Sequence, residues 1–162
     1  MKQIIGVIAF FCLWVSQAAA NPDYWRNEWP KTDFTKHSVP LTDILSGGPP
    51  RDGIPPINDP SFKPVAEIEA LGPKEPVIGV SINGYARAYP LRILMRHEIV
   101  NDGLGGVPIS VTFCPLCKAA MVFDRRVGDK VLDFGTTGKL RNSDLVMWDR
   151  HTESWWQQFL GE

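Results

Sequence analysis

Val107-Pro108-Ile109-Ser110-Val111-Thr112-Phe113-Cys114 is the stretch that decides the fold. Val107, Ile109, Val111 and Phe113 alternate with Pro108, Ser110 and Thr112, the period-two spacing of a half-buried strand. The strand runs straight into Cys114-Pro115-Leu116-Cys117. Upstream, residues 77–82 form an apolar, strand-like run, followed by Asn83-Gly84 and then Tyr85-Ala86-Arg87-Ala88-Tyr89. Asn-Gly tolerates the two positive φ values of a type I′ turn, so this segment predicts a hairpin. Pro90 suits the first turn of a helix that runs through His97, with Leu91, Leu94, Met95 and Glu98 on one face and His97 at its margin. Asn101-Asp102-Gly103 and Gly105-Gly106 read as turns. Beyond the cysteines, residues 119–123, 131–134 and 145–148 read as strands, residues 135–138 as a loop, and residues 152–160 as a short helix or a twisted strand. The sum is an α+β, mainly β fold of short antiparallel strands and hairpins with a few short helices.

The ends of the chain read differently. Lys2, an apolar run over residues 4–15 and Ala18-Ala19-Ala20 form the pattern of a secretory signal peptide over residues 1–20. The apolar run is too short to span a bilayer, which takes about 20 residues. Residues 21–50 predict an irregular, proline-rich extended arm that wraps the domain, because each proline fixes its backbone and lacks a donor. Its aromatics, Tyr24, Trp25, Trp29 and Phe34, are more than a disordered tail carries. Short helices are expected near residues 41–45 and 65–71. Residues 51–162 predict a single domain.

Composition narrows the function. The chain has 17 basic and 18 acidic residues, and losing Lys2 with the leader leaves 16 basic ones, a net charge of −2. No basic stretch interleaves with aromatics, so nucleic acid is not an expected partner. After signal cleavage no segment predicts a membrane span. Cys12 falls in the leader, so the mature chain keeps one cysteine pair and its fold must rest on burial. A periplasmic or secreted location follows from the leader.

Cys114 and Cys117 are the candidate site. Four chemistries fit two thiols separated by two residues in an oxidising compartment. The first is dithiol–disulfide exchange, with Cys114 at a strand end and its sulfur near peptide N–H groups; the chain lacks a βαβ unit around the pair, unlike thioredoxin-like proteins. The second is a soft-metal site, copper above all, from Cys114 and Cys117 with His97 or Met121; zinc wants four ligands, and His37, His97 and His151 have no zinc-finger spacing. The third is a permanent disulfide, whose loop is too short to contribute much chain-entropy stabilisation. The fourth is a cysteine nucleophile with His97 as base. A redox or metal-transfer protein of the cell envelope is the partner that the first two imply. The competing class is a non-catalytic ligand- or partner-binding module clasped by a structural disulfide.

Other clusters carry weaker signals. His97-Glu98 with Asn101-Asp102 reads either as a ligand or base held by a carboxylate or amide, or as a helix-end histidine meeting local carbonyls. Residues 135–144 are polar and glycine-flanked, and read as a long loop with local turn bonds rather than a phosphate loop. Trp148, Trp155, Trp156 and Phe159 read as core. Tyr85, Arg87 and Tyr89 share a face of a surface hairpin. Phe123-Asp124-Arg125 and Trp148-Asp149-Arg150 each predict an Asp–Arg contact at a strand end.

Several of these stretches together carry a resemblance. Asp52-Gly53-Ile54-Pro55-Pro56-Ile57, Pro60-Ser61-Phe62, Asn83-Gly84-Tyr85-Ala86-Arg87-Ala88-Tyr89-Pro90-Leu91, His97-Glu98-Ile99-Val100-Asn101-Asp102, Cys114-Pro115-Leu116-Cys117 and Ser143-Asp144-Leu145-Val146 resemble a bacterial family known as domain of unknown function 3179. The resemblance runs from about residue 50 to the end. It marks His97, Glu98, Asn101, Asp102, Cys114, Cys117 and Asp144 as motif positions without giving them roles, and it implies export. It also implies a longer domain, so a chain ending at Glu162 is expected to be truncated, with a sheet edge left uncovered.

Overall fold

A computed structural model describes residues 22–162. The expected signal peptide lies outside the described residues. Strand accounts for 41% and helix for 14%, so the chain is mainly β. The elements run α1 (Pro22–Glu28), β1 (Ile44–Ser46), β2 (Ile57–Asn58), β3 (Val77–Ile82), β4 (Tyr85–Pro90), α2 (Leu91–His97), β5 (Ile99–Leu104), β6 (Val107–Cys114), β7 (Ala119–Asp124), β8 (Arg126–Val127), β9 (Lys130–Val131), β10 (Phe134–Arg141), β11 (Asp144–Asp149) and β12 (Trp155–Gln157). Single 3-10 turns occur at Leu41–Asp43 and Val65–Glu67.

The strand quoted first, β6, sits inside a four-stranded sheet ordered β2-β5-β6-β7, in which β2 is parallel to β5 and the other pairs are antiparallel. It is buried on both faces rather than one. On one face Val100, Leu104, Ile109, Val111 and Phe113 pack against Tyr89 of β4 and Leu94 of α2. On the other, Ile99 and Cys114 meet Leu132, Phe134, Leu145 and Met147. Phe134, Leu145 and Met147 belong to a second antiparallel sheet, ordered β1-β10-β11-β12. Its far face is covered by Trp25, Trp29, Phe34 and Ile44 around Trp148. The chain thus stacks four layers: hairpin with α2, first sheet, second sheet, arm. Fully burying one large apolar side chain contributes about 1.5–3 kcal/mol, so each interface weighs more than the surface ion pairs.

The hairpin β3–β4 forms as expected, with Asn83 at φ 52° and Gly84 at φ 80°. Helix α2 begins after Pro90 and ends at His97. Met95, placed by periodicity on the packed face, is instead exposed. Gly105-Gly106 turns β5 into β6; a side chain at Gly105 would meet the Ile82 carbonyl oxygen at 2.5 Å.

Several expectations give way. Asn101-Asp102-Gly103 belongs to β5 and is not a turn. Asn101 bonds the Phe134 backbone and Asn58, and Asp102 accepts from Arg87 and Tyr89, so both polar side chains are satisfied inside a strand. Residues 135–138 belong to β10 and are not a loop. Thr136 donates to the Ile54 carbonyl and Thr137 to the Val146 carbonyl, and the strand bulges between Thr136 and Lys139. The arm is not merely extended: it opens with α1 and adds β1 to the second sheet. Tyr89 is not a surface residue but is buried, with its hydroxyl on Asp102. The echoed Asp–Arg pairs do not form within their triplets. Arg125 pairs with Asp133 and Arg150 with Asp52.

Candidate functional site

The two cysteines occupy the turn that joins β6 to β7. Cys114 closes β6 and pairs across the ladder with Ala119, so residues 115–118 form a tight reversal. Lys118 takes φ 58°, a left-handed conformation uncommon for a side chain with a Cβ. Cys114 is buried and packs with Ile99, Leu132 and Leu145, whereas Cys117 is exposed. Both are free thiols in the structure.

A second turn, from the other sheet, meets them. Asn142 and Ser143, at φ 51° and 65°, carry β10 into β11 and bring Asp144 under the cysteines. The Cys114 thiol donates to the Ser143 carbonyl at 3.4 Å, and the Cys117 thiol donates to Asp144 Oδ1 at 3.3 Å. The Phe159 amide donates to Asp144 Oδ2 at 3.0 Å. Asp144 is buried. Its oxygen and the two sulfurs lie within 4.8 Å of one another, and among the described residues no other set of three His, Cys, Asp or Glu donors converges this way. The Cys117 thiol is pushed up to about 12. Partial desolvation of the sulfur is the main cause, although the residue as a whole is exposed, followed by its hydrogen bond with the Cys114 thiol and then the one to Asp144, while the Ala119 amide acts in the opposite direction.

Residues 51–162 match the family described as a protein of unknown function, DUF3179. The chain belongs to that family. No curated protein and no solved structure matches the chain. The DUF3179 region holds all three donors, while α1 and β1 of the arm lie outside it, α1 covering its second sheet and β1 adding a strand to that sheet.

The other motif positions in the DUF3179 region have different surroundings. His97 closes α2, and its Nδ1 lies 2.8 Å from the Pro55 carbonyl oxygen. It lines a cleft with Leu71, Arg92, Ile93 and Arg96 and stands outside the group of three donors. Met121 faces Thr112 across the ladder, on the same side of β7 as Ala119 and so diagonal to Cys114. Its carbonyl accepts from Thr112. Asn101 and Asp102 hold layers together. Glu98 follows α2 at φ 59°, ψ −34°, and its carboxyl has no hydrogen-bond or ion-pair partner among the described residues. Burial pushes its carboxyl up to about 7.

Asp144 is the residue that sequence reasoning assigned to a loop. The available signal was its place in Ser143-Asp144-Leu145-Val146, immediately before an apolar strand. A carboxylate at the mouth of a buried strand needs a donor, and here the donors are a thiol and a main-chain amide.

Proposed function

We propose that Cys114 and Cys117 form a reversible dithiol–disulfide site of an exported protein working in the bacterial envelope. The observation that carries this reading is the stacking of an exposed thiol over a buried one, with a carboxylate oxygen 3.3 Å from the exposed sulfur. An incoming disulfide meets Cys117 first. Its thiol needs a proton acceptor, since the thiolate attacks and this thiol holds its proton tightly. Asp144 Oδ1 is placed to take that proton. The Cys117 thiolate then bonds to one sulfur of the incoming disulfide and expels the other as a thiolate, which takes the proton back from Asp144. Cys114 attacks the Cys117 sulfur, passes its proton to the second departing thiolate, and closes the ring. Two electrons move to the incoming disulfide, which leaves as two thiols. Ring closure displaces the exposed turn rather than β6. An envelope protein carrying a thiol–disulfide couple would be the partner.

Copper held by Cys114, Cys117, His97 and Met121 draws on the same sulfurs, but His97 stands outside the group of donors that converge on them, which does not favour it. The permanent clasp contributes little stability for so short a loop.

The test is equilibration of the purified protein in glutathione buffers, followed by alkylation and mass measurement. Two thiols per chain should disappear and return at an intermediate ratio, and Cys114→Ser should trap glutathione on Cys117. A pair that stays reduced in fully oxidising buffer, or oxidised in fully reducing buffer, overturns the reading.

A further inference from the structure

Asp144 presents a charge that the fold does not balance. It is buried, its two oxygens take a thiol and a main-chain amide, and among the described residues no lysine, arginine or histidine pairs with it. Other buried carboxylates in this protein are treated differently. Asp102 has Arg87 and Glu153 has Arg51. Asp149 has no cation among the described residues either, but it takes four bonds, from the His151 and Thr152 amides, the Thr152 hydroxyl and the Trp156 indole, against two on Asp144. A buried carboxylate with no cation is costly, and the groups set against this one are two thiols. All three become anionic donors of one kind of ligand, a metal cation.

We propose that Cys114, Cys117 and Asp144 of the reduced protein bind one zinc ion through two thiolates and one carboxylate oxygen, and that the bound ion guards the dithiol against oxidation. The binding half stands on the donor geometry alone; the guarding half rests on the dithiol reading.

The geometry is close to what zinc requires. With Zn–S near 2.3 Å and Zn–O near 2.0 Å, a tetrahedral site separates sulfur from oxygen by about 3.5 Å. Cys117 Sγ and Asp144 Oδ1 are already 3.3 Å apart, and the three donors lie within 4.8 Å. The donor set also selects the metal. Zinc accepts sulfur and oxygen together, while Cu(I) prefers thiolate and thioether and gains little from a carboxylate. Three protein ligands leave a fourth position open on the side of exposed Cys117, the arrangement of a zinc site that admits water or a further ligand. Two different turns supply the donors, so the ion would bridge the two sheets.

The chemistry balances. Binding replaces two thiol protons, released to solvent, with two sulfur–zinc bonds. Oxidation by a disulfide compound forms the Cys114–Cys117 bond, hands two electrons to that compound, which becomes two thiolates, and sets the ion free. Coordination to zinc withdraws electron density from both sulfurs, so each attacks more slowly while the ion is bound.

The test uses the reduced, anaerobic full chain with zinc titrated against a chromophoric chelator. Cobalt is a second probe, since tetrahedral thiolate ligation gives visible absorption. One ion per chain is expected, lost in Cys114→Ser and in Cys117→Ser. Asp144→Asn should weaken binding by more than about tenfold, the loss that even an outer-shell partner produces, and Asp144→Glu should restore part of it if the Asn variant misfolds. Zinc should also slow disulfide formation by oxidised glutathione at least about tenfold, by its occupancy of the thiolates. If the wild type binds no zinc yet oxidises reversibly, this inference falls and the dithiol reading stands. Equal affinity in Asp144→Asn and wild type overturns the ligand set. Binding without slower oxidation overturns the guarding role.

Discussion

Replacing Glu98 with Gln should make the protein more stable at pH 8. Glu98 is pinned by its backbone: its amide donates to the Leu94 carbonyl and its carbonyl accepts from Phe113. The carboxyl has no partner among the described residues, and burial raises it from 4.5 to about 7. The folded chain therefore keeps this proton over a range in which the unfolded chain has released it. The stabilisation from that extra proton is complete below about pH 4.5 and is lost as pH rises through about 7. At full burial that gap corresponds to about 3 kcal/mol. The side chain is only half-buried, and solvent screening leaves about 1–2 kcal/mol. Gln keeps the volume and the backbone and removes the ionisation. Urea melts followed by tryptophan fluorescence at pH 4.5 and pH 8 give the comparison. At pH 8 Glu98→Gln should exceed wild type by about 1–2 kcal/mol, and its stability should change less between the two pH values. An identical pH response in both proteins would refute the reasoning, as would a variant that is weaker at pH 8.

Asp102 joins two layers through Arg87 and Tyr89, so Asp102→Ala should cost about 3 kcal/mol by leaving both unpaired, against about 1 kcal/mol for Tyr89→Phe, read by the same melts. Arg51 lies 3.6 Å from the ring centre of Trp148 and 4.5 Å from that of Trp29, and pairs with buried Glu153. Arg51→Met should cost about 2–4 kcal/mol and hasten proteolytic cleavage within residues 22–50, and unchanged cleavage would show that the arm is held without this contact.

The fold was legible where local rules suffice. Asn83-Gly84 specifies its hairpin through two positive φ values, and the apolar alternation of 107–113 announces β6. It was illegible where side chains solve a local problem with distant partners. Asn101-Asp102-Gly103 has the composition of a turn, yet Asn101 reaches Phe134 and Asp102 reaches Arg87 and Tyr89, so a strand passes through. Thr136 and Thr137 do the same for β10 by bonding the Ile54 and Val146 carbonyls. Half-burial of β6 was a fair reading of the alternation, but Ser110 and Thr112 face a second sheet that no local pattern reveals. The site divides in the same way. The cysteines stand within one turn, so spacing brings them together. Asp144 joins them only because the second sheet packs on the first, with the β10–β11 turn over the β6–β7 turn.

That packing also fixes the backbone around the three donors. Glu98, Lys118, Asn142 and Ser143 are four of the eight non-glycine residues with positive φ among the described residues. Glu98 is bonded to Phe113, next to Cys114; Lys118 follows Cys117; Asn142 and Ser143 precede Asp144. Each such conformation costs about 1 kcal/mol or more, and it persists only when its surroundings determine it. Here the surroundings are rigid: Cys114 sits in the core, Asp144 begins a buried strand, and Gln158 bonds Thr112 and Ala119 across the layers. The other four, Asp52, Asp59, Asn83 and Glu153, stand at turns elsewhere, so positive φ belongs to the turns of this fold and does not by itself mark the site. At the site the consequence is positional: relaxing Lys118, Asn142 or Ser143 would move a sulfur or the carboxylate away from the other two donors, because each adjoins one of them.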